Sequence, residues 1–343
     1  MRSLEELVRP NVWRMRPYSS ARNEFQGNAS VFLDANENPW NEPINRYPDP
    51  LQRQVKARIS QLKGVDSASI FLGNGSDEAI DLVIRAFCEP KEDNIVTIAP
   101  SYGMYEVAAE TNDVECRKVA LDDHFDLDIP ALWAAVDAHT KVIFLCSPNN
   151  PSGNSLNREA IYQLLRDFEG LVVVDEAYID FSAQPSFLSE LTQHPNLIVL
   201  QTFSKAWGAA AIRLGMAFAA PAIIDVLNKI KYPYNINGAT QALALDLLRM
   251  PVEEQVREIV SERERLAHEL PRFSFVQKVY PSDANFLLVR VDDADALYGY
   301  LLEGGVIVRN RTRMPLCRDC LRITVGLPSE NDRMLSILDT YKR

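Results

Sequence analysis

Apolar residues in the middle of this chain fall into short continuous runs separated by longer amphipathic stretches. Ser69 to Leu72, Asn94 to Ala99, Lys141 to Cys146, Leu171 to Val174 and Leu197 to Leu200 each read as a strand, and the stretch from Gly73 through Phe87 carries a helical pattern. Short apolar runs with helices between them predict strands buried on both faces, as in a mostly parallel sheet. After about residue 235 the pattern changes. Ala239 to Met250 and Val252 to Leu270 read as long helices, then Ala284 to Val291, Gly305 to Arg309 and Cys320 to Val325 as strands, then a last helix. The expectation is an α/β protein with a large domain (31–235), its mostly parallel sheet sandwiched by helices, and a smaller α+β domain (236–343). Residues 1–30 are expected to form an arm or to join the smaller domain. The Pro-rich stretch from Asn36 to Pro50 reads as a loop that could reach a neighbouring chain.

The length of 343 residues supports two domains, and the hydrophobic content of 47% allows a core large enough to bury a cofactor. A net charge of −11 argues against a nucleic-acid-binding surface, so any anion site must be a local cluster of cations. Met1 to Trp13 has no apolar core of signal-peptide length, and no run is long enough to span a membrane. Five scattered cysteines fit a reducing cytoplasm better than a disulfide framework. Cys317-x-x-Cys320 stands alone, without a second Cys or His pair, so a metal is not expected.

Candidate chemistry falls at the strand ends, where ligand-binding groups of an α/β sheet collect. The run Leu197 to Leu200 leads into Thr202-Phe203-Ser204-Lys205, with Arg213 eight residues after the lysine. A lysine in partly dry surroundings has a lowered pKa and becomes a usable nucleophile. Hydroxyls before it and an arginine after it suit a phosphate, a combination that suggests pyridoxal phosphate. The same segment also reads as a surface lysine after a strand. Gly73-Asn74-Gly75-Ser76-Asp77-Glu78 lies between a strand and a helix. It suits an anion at a helix N-terminus, or is a plain turn capped by Ser76 or Asp77. Asn149-Asn150-Pro151-Ser152-Gly153 offers a side-chain amide or is simply a turn. Asp175 ends a buried strand, where a carboxylate is costly unless paired; a protonated pyridine nitrogen is one partner, a helix cap another role. Tyr178 follows within reach of the same ring.

Between Arg309 and Arg322 the chain holds five arginines and one acid. Arginine makes bidentate contacts with carboxylate or phosphate. Arg311, Arg313 and Arg318 read as a solvated hairpin. Arg309 and Arg322 each abut an apolar strand-like run.

In this order the motifs resemble those of fold-type I pyridoxal-phosphate aminotransferases, over nearly the whole chain. The likeness includes Pro17-Tyr18-Ser19-Ser20-Ala21-Arg22, Asn45-Arg46-Tyr47-Pro48, Tyr102-Gly103-Met104-Tyr105, Asp175-Glu176-Ala177-Tyr178, Ser204-Lys205-Ala206 and Cys320-Leu321-Arg322-Ile323-Thr324-Val325-Gly326. The resemblance implies pyridoxal 5'-phosphate as cofactor, with Lys205 as its Schiff-base lysine and proton shuttle. It implies Asp175 on the pyridine nitrogen, Asn150 and Tyr178 on the ring oxygen, and Tyr102 stacked on the ring. Ser76, Asp77, Ser204 and Arg213 would hold the cofactor phosphate, and Tyr47 would reach it from the partner of a homodimer. Tyr18, Asn150, Arg309 and Arg322 would bind the substrate. The Tyr18 and Tyr47 segments and the Arg309/Arg322 spacing point more narrowly, to a branch whose donor is a phosphorylated amine and whose acceptor is 2-oxoglutarate. Two alternatives keep the cofactor: a decarboxylase of a phosphorylated amino acid and a broad aromatic aminotransferase. The chain departs from the family after the lysine, where Ala206-Trp207-Gly208-Ala209-Ala210-Ala211-Ile212 replaces the usual Phe, Leu and second Gly, with the lysine-to-arginine spacing kept.

Overall fold

The computed structural model describes residues 2–18 and 29–342. Its larger sheet has seven strands: β1 (Ile70–Asn74), β2 (Asn94–Ala99), β3 (Glu115–Ala120), β4 (Thr140–Cys146), β5 (Leu171–Asp175), β6 (Leu197–Thr202) and β7 (Leu214–Ala219). They lie in the order β1-β7-β6-β5-β4-β2-β3. All pairs from β6 to β3 are parallel, and β7 runs antiparallel to both of its neighbours.

The apolar runs are continuous because both faces of this sheet are covered. Val172 and Val174 of β5 join Ile143, Leu145, Leu197 and Val199 on one face. Leu171 and Val173 join Phe144, Ile198 and Leu200 on the other. Each such side chain, fully buried, contributes about 2 kcal/mol of transfer free energy. Asp175 continues the odd-numbered series of β5 and so faces the side that holds Phe144 and Tyr105.

The smaller sheet is antiparallel throughout: β8 (Val276–Val279), β9 (Phe286–Val291), β10 (Arg309–Asn310) and β11 (Cys320–Thr324), in the order β10-β11-β9-β8. Leu287, Val289, Leu321 and Ile323 point to one side and pack with helices Val252–Glu269, Ala294–Glu303 and Pro328–Thr340. The opposite face carries Phe286, Leu288, Cys320 and Arg322 and turns to the large unit. There Phe286 packs with Tyr178, Phe181 and Ala206.

Two segments pack differently from expectation. Short helices Leu4–Leu7 and Pro10–Arg14 belong with the large unit, not the smaller one. Leu7, Val8 and Val12 are buried against the Ile80 and Phe87 side of helix Gly75–Phe87, and the Arg9 amide donates to the Ala86 carbonyl at 2.9 Å. Helix Gly238–Leu247, beyond the boundary expected at 235, also packs on the large unit through Ala244. Three strands have no apolar run to announce them. β3 is a largely polar edge strand, β8 (Val-Gln-Lys-Val) is polar in its middle, and β7 (Leu-Gly-Met-Ala-Phe-Ala) is too rich in small residues to stand out.

Candidate active site

Since β7 is antiparallel to β1 and β6, the carboxyl ends of β1, β4, β5 and β6 and the amino end of β7 all lie on one edge of the sheet. Gly75, Cys146, Asp175, Thr202 and Arg213 come from these ends and line one cleft of about 150 Å³, together with Ser76, Asp77, Tyr102, Asn150, Tyr178, Ser204 and Lys205.

Asp175 is 2% exposed. Its Oδ2 accepts from the Tyr105 hydroxyl at 2.7 Å and its Oδ1 from the Ala177 amide at 3.1 Å. Burial pushes the carboxyl up to about 6, against the opposing pull of these hydrogen bonds. Among the described residues no arginine or lysine forms an ion pair with it, so this is a desolvated acid facing a cleft with room for a cation.

Lys205 lies in the turn after β6, half-buried, its Nζ 5.4 Å from the centre of the Tyr178 ring. Burial lowers its pKa, and the positive field of Arg322 lowers it further; Asp175 and Asp77 act the other way. The amine is thereby brought closer to its neutral, nucleophilic form at physiological pH.

The mouth of helix Gly75–Phe87 forms an anion cup. Asn74 precedes the helix and makes no side-chain cap, so neither Ser76 nor Asp77 is the N-cap; both lie in the first turn, whose amides have no acceptor within the helix. Gly75 has φ +71° and donates its amide to the Arg213 carbonyl at 2.9 Å. A Cβ on Gly75 would come within 2.5 Å of the Arg213 guanidinium, and one on Gly215 within 2.1 Å of the Ser76 amide nitrogen. Glycine at both positions lets β7 and its arginine close on the helix start. Arg213 donates to Ser204 Oγ at 3.4 Å and pairs with Asp77 at 3.4 Å. The Tyr102 hydroxyl donates to the same Asp77 carboxylate at 3.0 Å, which holds its ring on the cleft wall.

On the side of the smaller sheet, Arg309 and Arg322 are directly opposed across β10 and β11. The Arg322 guanidinium lies 5.2 Å from the Phe286 ring centre, and its Nη1 donates to Asn150 Oδ1. That bond ties the small unit to the cleft, and among the described residues the Asn150 Nδ2 has no acceptor and can donate to a ligand. The Tyr178 ring meets Phe286 edge-on at 5.2 Å, with its hydroxyl unpartnered among the described residues.

Three expected site residues lie apart from this cluster and do not line the cleft: Arg309, which is exposed at the end of the small sheet, Tyr18 and Tyr47. Tyr18 is exposed, and Ser19 to Arg22 of its motif fall outside the described residues. Tyr47 stacks on Tyr234 at 4.5 Å, half-exposed, and does not line the cleft of its own chain. Arg313 and Arg318 are exposed, as expected of a solvated hairpin, but Arg311 is half-buried. Tyr105 is a site residue that the sequence does not single out: it belongs to the Tyr102-Gly103-Met104-Tyr105 motif, and only the fold shows that it reaches Asp175.

Comparisons with known proteins agree with this arrangement. The family model described as aminotransferase class I and II matches residues 23–338. The chain is 66% identical to the histidinol-phosphate aminotransferase of Parabacteroides distasonis and 57% identical to that of Bacteroides thetaiotaomicron, covering 100% of both chains in each case. Among solved structures, the histidinol-phosphate aminotransferase of Clostridium acetobutylicum superposes with a TM-score of 0.79 at 26% identity, over 86% of this chain and 90% of that one. With its strand-end cleft, its half-buried lysine and a match that spans almost its full length, the chain belongs to the class I and II aminotransferase family.

Proposed function

We propose that this protein transfers the amino group of L-histidinol phosphate to 2-oxoglutarate, giving imidazole acetol phosphate and L-glutamate, with pyridoxal 5'-phosphate as bound cofactor. The observation that carries the substrate class is the Arg309–Arg322 pair. The two residues are in register on adjacent strands, the field of Arg322 reaches Lys205, and no carboxylate among the described residues forms an ion pair with either arginine. Like charges directly opposed across a sheet are destabilising, so the arrangement favours an anionic ligand.

The residues present fit the cofactor. The cradle at Gly75, which a Cβ would fill, together with the first-turn amides of Ser76 and Asp77, Ser204 and Arg213, suits its phosphate. The raised pKa of Asp175 marks a carboxylate in want of a cation, which the pyridine nitrogen would supply. Asn150 Nδ2 and the Tyr178 hydroxyl are free to donate to the ring oxygen, and Tyr102 offers a face for stacking. When bound, the cofactor supplies an electrophilic carbon and an electron-withdrawing ring. Lys205, kept partly neutral by burial and by Arg322, is the group within reach to take the proton from the donor carbon that bears the amine, and to return it in the second half-reaction. Arg322 and Arg309 hold the donor's phosphate and then the acceptor's carboxylate, since both accept bidentate contacts. Tyr18 would join them at the anion.

A homodimer is part of this reading. Val31, Leu33, Trp40 and Ile44, in the segment leading to Tyr47, and Tyr232, two residues from the Tyr234 on which Tyr47 stacks, are all exposed, and such apolar side chains suit a second copy of the chain. Tyr47 would then reach the partner's cofactor phosphate. We also infer residence in the cytoplasm; no helix among the described residues is long and apolar enough to cross a membrane, and the cysteines are free.

The test is an assay of the purified holoenzyme with L-histidinol phosphate and 2-oxoglutarate. Glutamate should form, and Lys205→Ala should abolish nearly all of it. Comparable turnover of L-phenylalanine would replace this reading with a broad aromatic aminotransferase. Release of carbon dioxide from a phosphorylated amino acid, with no acceptor aminated, would replace it with a decarboxylase.

A further inference from the structure

Arg311 reads in the sequence as part of a solvated hairpin, yet it faces the same way as Arg309 and Arg322. Arg309 opposes Arg322, and the Arg311 amide donates to the Cys320 carbonyl at 2.8 Å, so the ladder runs on in register past β10. Residues two apart on an extended segment share a face. Arg309, Arg311 and Arg322 therefore lie on the face of the small sheet that meets the large unit, while Leu321 and Ile323 fill the core behind them.

The surroundings of Arg311 are unusual for a surface cation. Its Nε is buried and has no hydrogen-bond partner, as is the Nε of Arg322. No acid among the described residues pairs with Arg309, Arg311 or Arg322, although the chain carries a net charge of −11. Burial lowers the Arg311 pKa to about 10, and the positive fields of Arg322 and Arg309 contribute, so the three guanidiniums act on one another. Tyr178, which lines the cleft, acts on Arg311 in the opposite direction, so the guanidinium lies within the electrostatic reach of a cleft residue.

We propose that Arg311 is a specificity-determining residue, a third guanidinium that reads the phosphate of the amino donor and is dispensable for a carboxylate. The chemistry follows from the two anions. A phosphate monoester carries close to two negative charges and three acceptor oxygens, whereas a carboxylate carries one charge on two oxygens in a plane. Two opposed arginines more than balance the carboxylate and reach both of its oxygens; they match the charge of the phosphate but leave it an acceptor oxygen, which Arg311 takes. This rests on the donor and acceptor proposed above.

The experiment compares the holoenzyme with its Arg311→Gln and Arg311→Lys variants. Michaelis constants are measured for L-histidinol phosphate and for 2-oxoglutarate, together with inhibition by inorganic phosphate. The cofactor absorption spectrum reports whether the site is intact. Arg311→Gln should raise the donor KM and weaken phosphate inhibition by about 10- to 100-fold, the loss expected for a charge-assisted contact, and leave the 2-oxoglutarate KM within about twofold. Arg311→Lys should recover part of the loss by restoring charge without the fork. Equal losses for donor and acceptor, or an unchanged donor KM, would overturn the proposal. If the wild-type protein makes no glutamate from L-histidinol phosphate, the proposed function fails by itself. Inhibition by phosphate in the wild type and the variants, read with whichever donor is turned over, still decides the role of Arg311.

Discussion

The Tyr105 hydroxyl donates to Asp175 Oδ2 across 2.7 Å, and both residues are almost wholly buried: Tyr105 is 0% and Asp175 2% exposed. The bond orients the carboxylate and favours its charged form, and the Tyr105 ring stacks on Phe144 at 5.1 Å, which fixes the donor in turn. Tyr105→Phe would keep that packing and remove only the hydroxyl. A hydrogen bond to a charged group is worth about 1.5–3 kcal/mol, so the variant should bind pyridoxal phosphate about 10- to 100-fold more weakly. Titration of the cofactor-free variant, followed by absorbance, measures this; unchanged affinity would reduce Tyr105 to a packing residue.

Asp175 also makes the cofactor-free protein sensitive to pH. Its carboxyl titrates at about 6 in the fold, against about 3.9 in an unfolded chain. Between those values the folded protein binds more protons, so its stability falls as pH rises through about 6 and stays lower above it. A shift of about two units corresponds to about 3 kcal/mol. Asp175→Asn removes the penalty. The cofactor-free variant should unfold in urea at higher denaturant than the wild type at about pH 8 and at nearly the same denaturant at about pH 4. A constant gap between the two pH values would contradict the assignment of that penalty to Asp175.

If Tyr47 serves the partner's site, two inactive chains can rescue each other. Lys205→Ala and Tyr47→Ala homodimers would be mixed, dissociated and reassembled. In the mixed dimer one site then has both a native lysine and a native tyrosine, and aminotransferase activity should rise above the sum of the parents. With Tyr47 acting within its own chain no mixed site is intact, and no rise would be seen.

Much of this arrangement is legible in the amino-acid sequence, for a physical reason. A parallel strand buried on both faces is a bare apolar run, and a polar residue at its end must face a cleft or be paired. Asp175 after Val172-Val173-Val174 is the clear case, and Lys205 after β6 follows the same logic. What is not legible depends on cross-strand neighbours. β7 hides its strand character behind Gly215 and Ala217, because close approach to helix Gly75–Phe87 demands a residue without a side chain at Gly215. Arg311 has the same local sequence context as exposed Arg313, and only the pairing with β11 sets the two apart. Tyr105 acts on Asp175 from 70 residues away in the chain, a contact no local pattern encodes.

The antiparallel return of β7 has one further consequence. The chain leaves the sheet at Thr202, passes Lys205 and re-enters at Leu214 on the same edge, so the amine and the Arg213 guanidinium ride on a single loop between adjacent strands. Each cation is held by its own strand end, Lys205 three residues after Thr202 and Arg213 directly before Leu214, so the pairing of β6 with β7 sets the distance between them. One added residue between Ala206 and Ile212 would bulge from the loop and leave both strand ends in place. The register of the two strands, more than the length of the loop, keeps the amine and the guanidinium in step.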